Sequence, residues 1–236
     1  MNIAILLSGG TGTRLKSECP KQYIDVAGKM LITYSLEVLI KSPHIDAIQI
    51  VAEPEWKERI VADAEKYNLC TDKVMDFAMP GANRQASILS GLESILWQRE
   101  IGMEDTVLIH DAARPNLTEE MIEECLQALQ GHDGVMPVLP MKDTVYLSTD
   151  GKRVSELLDR SRIFAGQAPE LFRLKKYHQA NTSLPPDVLS KINGSTEPAV
   201  LAGMDIVMIP GHEENYKITT NADLERFREA VGAGGD

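Results

Sequence analysis

A chain of 236 residues with 43% hydrophobic content can bury one sizeable α/β core, whereas two domains would each be small, so residues 1–236 are read as one domain. The formal net charge of −11 argues against nucleic acid or an anionic membrane as the main partner. Cys19, Cys70 and Cys125 are too few and too scattered for a disulfide framework or a zinc site, and no basic leader precedes the apolar start, so a cytoplasmic location is expected.

The first element, 3–7, is too brief for a membrane span and has the length of a buried parallel strand. Ser8-Gly9-Gly10-Thr11-Gly12-Thr13-Arg14 follows, with Pro20-Lys21 shortly after. Glycines there let backbone N–H groups approach a ligand, and with Arg14 and Lys21 they make a site for a polyphosphate. A Walker loop would end in Gly-Lys-Ser/Thr, and a dinucleotide fingerprint needs glycine or alanine where Leu15 stands. The bland alternative is an ordinary glycine-rich turn with Lys21 on the surface.

Farther along, apolar spacing predicts a helix over 30–42, a strand over 45–51 and a helix over 55–67. Gly81-Ala82-Asn83-Arg84 is a turn opening a helix over 85–99. A second buried strand over 106–110 runs straight into Asp111-Ala112-Ala113-Arg114-Pro115. Thr118 is placed to cap the next helix, and 134–139 is another strand. This alternation predicts an α/β fold with a doubly wound, mostly parallel sheet and ligands at the carboxyl ends of its strands. Both the glycine loop and Asp111 to Arg114 fall at such ends.

Segment 140–163 breaks the rhythm. Residues 144–148 are β-like, Asp150-Gly151 is a hairpin turn, and 153–158 can return as a strand. Such an inserted β-hairpin is either a protruding arm or an edge covering its own sheet. The last third reads as helices over 171–181 and 185–192, a strand over 206–210, a loop over 215–220, and a closing helix over 221–231 capped by Asn221, with Asp223 in its first turn.

Five pieces, in order, carry a resemblance: Gly9-Gly10-Thr11-Gly12-Thr13-Arg14 with Pro20-Lys21-Gln22-Tyr23; His110-Asp111-Ala112-Ala113-Arg114-Pro115; Asp143-Thr144; Asp159-Arg160-Ser161; and Tyr216-Lys217-Ile218-Thr219-Thr220. Together they span nearly the whole chain. The set resembles nucleotidyltransferases that couple a nucleoside triphosphate to a sugar or polyol phosphate, and most closely the methylerythritol phosphate cytidylyltransferase family with its ribitol-5-phosphate relatives. The resemblance implies a Rossmann-like domain that transfers CMP from CTP to 2-C-methyl-D-erythritol 4-phosphate and releases pyrophosphate. It places Ser8, Gly9, Gly10, Thr11, Gly12, Thr13 and Arg14 around the triphosphate, with Lys21 on the α-phosphate. Gly81, Arg84 and Ser87 fall near cytosine and ribose, Asp111 and Arg114 by the acceptor polyol, and Thr144, Arg160 and Lys217 on the acceptor's phosphate. Catalysis then belongs to Arg14, Lys21, Arg160 and Lys217. Mg2+ is expected to bridge triphosphate oxygens. No dedicated protein cage for it is visible, Asp111 being the one carboxylate that could contribute. Residues 140–163 would be the arm through which the subunits of a homodimer embrace.

Attack of one phosphate on the α-phosphorus of a nucleotide leaves the protein little covalent work, so positioning and cations dominate. Asp111 and Arg114 can instead be an internal pair that shapes their loop, and His110, at a buried strand end, is read as satisfying backbone groups. The chain departs from the family's patterns twice. Thr-Pro-Gln after the arm is Ala168-Pro169-Glu170, and Thr-Asp-Asp is Thr196-Glu197-Pro198. Both lie on or near the acceptor side, so a pentitol phosphate used for a cell-surface polymer is the alternative acceptor. A catalytically silent nucleotide-binding protein is the alternative of another class. Retention of Arg14, Lys21, Asp111, Arg160 and Lys217 argues against it. Hexose-1-phosphate nucleotidyltransferases share the glycine-rich start but not the later Asp-Arg-Ser and Lys-Ile-Thr-Thr pieces.

Overall fold

Strand β1 (Asn2–Leu7) is buried on both faces: Ile3 and Ile5 pack into one apolar core, Ala4 and Leu6 into the other. Period-two alternation with both faces apolar is what a central parallel strand requires. The structure is a computed structural model and describes residues 1–10, 19–189 and 191–233. A 3-10 turn (Lys21–Tyr23) and two short strands, β2 (Asp25–Val26) and β3 (Lys29–Met30), lead into α1 (Leu31–Lys41). There follow β4 (Ala47–Val51), α2 (Pro54–Lys66), β5 (Val74–Ala78), α3 (Arg84–Gln98), β6 (Thr106–Asp111), α4 (Glu119–Ala128) and β7 (Gly134–Pro140). The chain then forms β8 (Val145–Leu147), β9 (Glu156–Leu158), β10 (Phe164–Gly166), β11 (Glu170–Arg173), α5 (Leu174–Thr182) and α6 (Pro186–Leu189). It closes with α7 (Glu197–Leu201), β12 (Ile206–Pro210) and α8 (Asn221–Ala233).

Strands β5, β4, β1 and β6 lie side by side and parallel. Beyond β6, β11 runs antiparallel between β6 and β7, β10 pairs antiparallel with the other end of β7, and β12 is parallel to β7. Helices α1, α2 and α4 cover one face, burying Leu36, Ile60 and Ile122 there, and α3 and α5 cover the other with Ile88, Leu92 and Tyr177. From β1 the chain steps outward to β4 and β5, then returns to the far side of β1 as β6. Ligands of doubly wound sheets bind outside the carboxyl ends of strands at such a reversal. The register Leu7↔Asp111 and Leu7↔Val51 brings the glycine loop, Asp111 and the start of α2 to the same edge.

The hairpin pairs only with itself, Val145 opposite Leu158 and Leu147 opposite Glu156, and joins no edge of the main sheet. Asp150 Oδ1 accepts from the amides of Lys152 (2.8 Å) and Arg153 (2.9 Å), which fixes its turn. Tyr146, Leu147, Val154 and Leu157 stand exposed on it.

Three expectations need correction. The stretch expected to be helical from 171 begins instead as strand β11, and α5 starts only at Leu174. Leu171 and Phe172 are fully buried between β6 and β7, and so short an apolar run has no period to separate strand from helix. Edge strand β5 was not expected, because Asp76 interrupts its apolar pattern. Thr220, not Asn221, caps α8: its Oγ1 accepts from the Asp223 amide (3.2 Å), while Asp223 Oδ2 accepts from the Thr220 amide (2.7 Å), a reciprocal capping box. Thr118 does cap α4, accepting from the Met121 amide at 3.3 Å.

Candidate active site

A cleft of about 400 Å³ opens at the carboxyl edge of β1, β4 and β6. One wall is the start of the glycine loop. Gln22 Nε2 donates to the carbonyls of Ser8 (2.6 Å) and Gly10 (2.8 Å), and the Tyr23 hydroxyl donates to Ser8 O (2.8 Å) while accepting from Ser8 Oγ. Burial pushes the Tyr23 phenol up to about 12, so it stays a donor, and its ring stacks on Trp56 at 3.9 Å. The Pro20-Lys21-Gln22-Tyr23 motif therefore locks the loop to the segment that carries Lys21. Lys21 lines the cleft and donates to the Ile218 carbonyl at 2.7 Å, joining the first and last thirds of the chain. Thr11, Gly12, Thr13 and Arg14 lie outside the described residues.

The opposite wall is the 80–84 turn and the amino end of α3. A Cβ on Gly9 would stand 2.3 Å from the Pro80 Cβ, so the two walls close up only with glycine there, and one on Gly81 would stand 2.4 Å from the Ala86 Cβ, so the turn folds onto the start of α3 only with glycine at 81. Asn83 caps α3 by accepting from the Ala86 amide (2.8 Å), and Ser87 Oγ accepts from the Gly81 amide (3.0 Å). Gly81, Arg84 and Ser87 all line the cleft.

Asp111 is the hub of the floor. Its Oδ1 accepts from Arg84 Nε (3.0 Å) and its Oδ2 from Lys217 Nζ (2.9 Å), with Arg114 Nε 3.8 Å away. Burial alone would raise the Asp111 pKa, but these cations outweigh it and hold the carboxyl well below the usual carboxylate range. Arg84 in turn reaches Glu170, Nη2 to Oε2 3.6 Å. Glu170 accepts from Thr196 Oγ1 (2.9 Å) and from the Ser195 hydroxyl, and burial pushes its carboxyl up despite Arg84 and these donors. The two segments that depart from the family's patterns thus meet through Thr196 and Glu170.

The structure therefore brings together Gly9, Gly10, Lys21, Gly81, Arg84, Ser87, Asp111 and Lys217, with Ser8 buried directly beneath. Arg84, expected on the nucleotide side, and Lys217, expected on the acceptor side, share one carboxylate. Arg114 is behind the floor rather than in it: its Nη1 donates to the Asn215 carbonyl (2.5 Å), which ties two loops together. Thr144 and Arg160 sit at the arm and do not line the cleft of their own chain; Arg160 Nη1 donates to the Lys142 carbonyl at 2.6 Å. His110 Nε2 lies 3.0 Å from the Arg114 carbonyl, the structural role expected of it. Sequence reasoning missed the capping Asn83, Thr219 and Glu53 as lining residues, and Glu170 behind Arg84. An asparagine just before an apolar-periodic run is a cap signal and would have found Asn83.

The family model for 2-C-methyl-D-erythritol 4-phosphate cytidylyltransferase matches residues 2–231. The chain belongs to that family. Among curated relatives, a ribitol-5-phosphate cytidylyltransferase of Streptococcus agalactiae is 32% identical, covering 99% of this chain and 96% of that one. A bifunctional IspD/IspF enzyme of Paramagnetospirillum magneticum is 33% identical over 96% of this chain, which spans only 56% of that longer protein. The fold is shared with the Francisella tularensis 2-C-methyl-D-erythritol 4-phosphate cytidylyltransferase structure at TM-score 0.80 and 24% identity, covering 97% of this chain and 98% of that one. This family member carries the expected Rossmann-like, mostly parallel sheet. No helix among the described residues is long and apolar enough to cross a membrane.

Proposed function

We propose that this chain transfers CMP from CTP to a polyol phosphate. An oxygen of the acceptor phosphate forms a new bond to the α-phosphorus, the bond to the bridging oxygen of the β-phosphate breaks, and pyrophosphate leaves with that electron pair. The observation that carries this is that Lys21 and Lys217 line one cleft with Arg84 and Asp111 at the carboxyl ends of β1 and β6, where two anions must be held together. The start of the glycine loop and the amino end of α3 line the same space, a combination that suits a triphosphate. Both oxygens of Asp111 are taken up by Arg84 and Lys217, so the donor set fits Mg2+ carried mainly on triphosphate oxygens rather than in a side-chain cage. When bound there it neutralises charge on the leaving pyrophosphate.

The favoured acceptor is 2-C-methyl-D-erythritol 4-phosphate, the substrate in the family model's own description. Ribitol 5-phosphate is the second, favoured by the near full-length streptococcal relative. We further infer a cytoplasmic homodimer in which the apolar face of the arm is covered by a second subunit, bringing Thr144 and Arg160 to the partner's cleft. An acceptor panel decides the function: pyrophosphate release with CTP and methylerythritol, ribitol, xylitol or glycerol phosphate, compared by kcat/KM. A clear preference for one of the first two assigns the acceptor, and no release with any of them leaves a silent nucleotide binder.

A further inference from the structure

Glu170 is 7% exposed, does not line the cleft, and is aimed at a residue that does. Its two oxygens are held from behind by the Ser195 and Thr196 hydroxyls, and Oε2 faces Arg84 Nη2 at 3.6 Å. The other edge of that guanidinium, Nε, is held by Asp111 at 3.0 Å. Arg84 thus stands between two carboxylates, while Asp111 also faces Lys217 and, at 3.8 Å, Arg114, so that of the three cations only Arg84 is met by a carboxylate on both edges. A cation balanced on both edges has little charge left to attract a phosphate, yet its remaining N–H groups still donate. We propose that Glu170 is a positioning residue that neutralises Arg84, making this guanidinium an oriented donor to uncharged ligand groups and confining phosphates to the lysine side of the cleft. This rests on the polyol-phosphate assignment above. An acceptor with one phosphate end and one hydroxyl end would then enter in a single direction, because a phosphate placed at Arg84 gains little.

A carboxylate is required for this. Glutamine at 170 would accept from one hydroxyl through its single oxygen and leave Arg84 and Lys217 to share Asp111. The test is calorimetric titration with sulfate, a dianion that does not titrate near neutral pH and needs no turnover. Wild type, Glu170→Gln and the double variant Glu170→Gln/Arg84→Gln are compared. Glu170→Gln is expected to bind sulfate on the order of tenfold tighter, the scale of one newly available charge-assisted hydrogen bond, and the double variant to lose the gain. With CTP and the acceptor that wild type uses, kcat and KM for the acceptor are expected to fall together, the mark of non-productive binding. Unchanged or weaker sulfate binding, a gain that survives loss of Arg84, or an acceptor KM that rises would each overturn the proposal. If Glu170→Gln does not fold by circular dichroism, Glu170→Ala, which also removes the charge, carries the same test. Should wild type use no polyol phosphate at all, the proposed function fails while the sulfate titration still judges Glu170.

Discussion

His110 offers a quantitative test of the floor. Its ring is fully buried, Nε2 meets the Arg114 carbonyl at 3.0 Å, and Nδ1 has no hydrogen-bond partner among the described residues. A carbonyl can only accept, so Nε2 carries the proton and Nδ1 is bare. Adding a second proton would bury a charge and an unmet donor, and burial lowers the ring's pKa from 6.5 to about 4. Between those values the unfolded chain binds more protons than the native one, so stability is fully present above pH 6.5 and is lost as pH falls towards 4. At 1.36 kcal/mol per pKa unit the loss is about 3 kcal/mol, or roughly 6–12 °C in Tm for a chain of this size. The comparison is His110→Gln, whose amide keeps a donor for the Arg114 carbonyl but does not titrate. Urea melts of both proteins at half-unit steps from pH 7 to 4 give the difference in unfolding free energy. Taking that difference cancels the carboxylates, including Glu170, which works in the opposite direction. The gap should move by about 3 kcal/mol in favour of the variant on going to pH 4. Parallel curves would refute the buried neutral ring.

Three further outcomes concern catalysis. Lys21→Ala should fold with a near-normal melting profile but lose about 10²–10³ in kcat, the scale of one contact made to charge in the transition state; a variant keeping half the wild-type kcat would remove Lys21 from the chemistry. Lys217→Ala should weaken the acceptor far more than CTP when each is titrated separately, and equal losses would assign Lys217 to the triphosphate or to the fold. Chains carrying Lys21→Ala and chains carrying Arg160→Ala, each nearly inactive alone, should recover roughly a quarter of wild-type activity when co-refolded. Half the dimers are then mixed, and in each of those one site of two is intact. No recovery despite demonstrated subunit exchange would show that Arg160 serves its own chain.

Much of this architecture was legible because its signals are local. The short apolar run of β1, the glycines beyond it and Thr118 before α4 each act within a few residues. Strand β11 was not legible: Leu171 and Phe172 suit helix and strand equally, and only their places between β6 and β7 decide the matter. The cleft residues were found by motif, but their connections were not. That Arg84 and Lys217 share Asp111 depends on side chains 27 and 106 positions away from it. Arg114 was placed by the acceptor through the resemblance alone, because arginine beside aspartate at a strand end looks the same in sequence whether it faces a cleft or braces a loop.

The bond from Lys21 to the Ile218 carbonyl spans 197 positions. During synthesis the residues that form β1 and Lys21 leave the ribosome before the loop that carries Lys217 and Ile218. At 5–20 residues per second the interval is about 10–40 s. Over that time a growing chain can pair β1 with β4 and then with β6, but the cleft floor lacks Lys217, which shares Asp111 with Arg84. A ribosome that stalls before codon 217 therefore leaves a sheet whose cleft floor is incomplete.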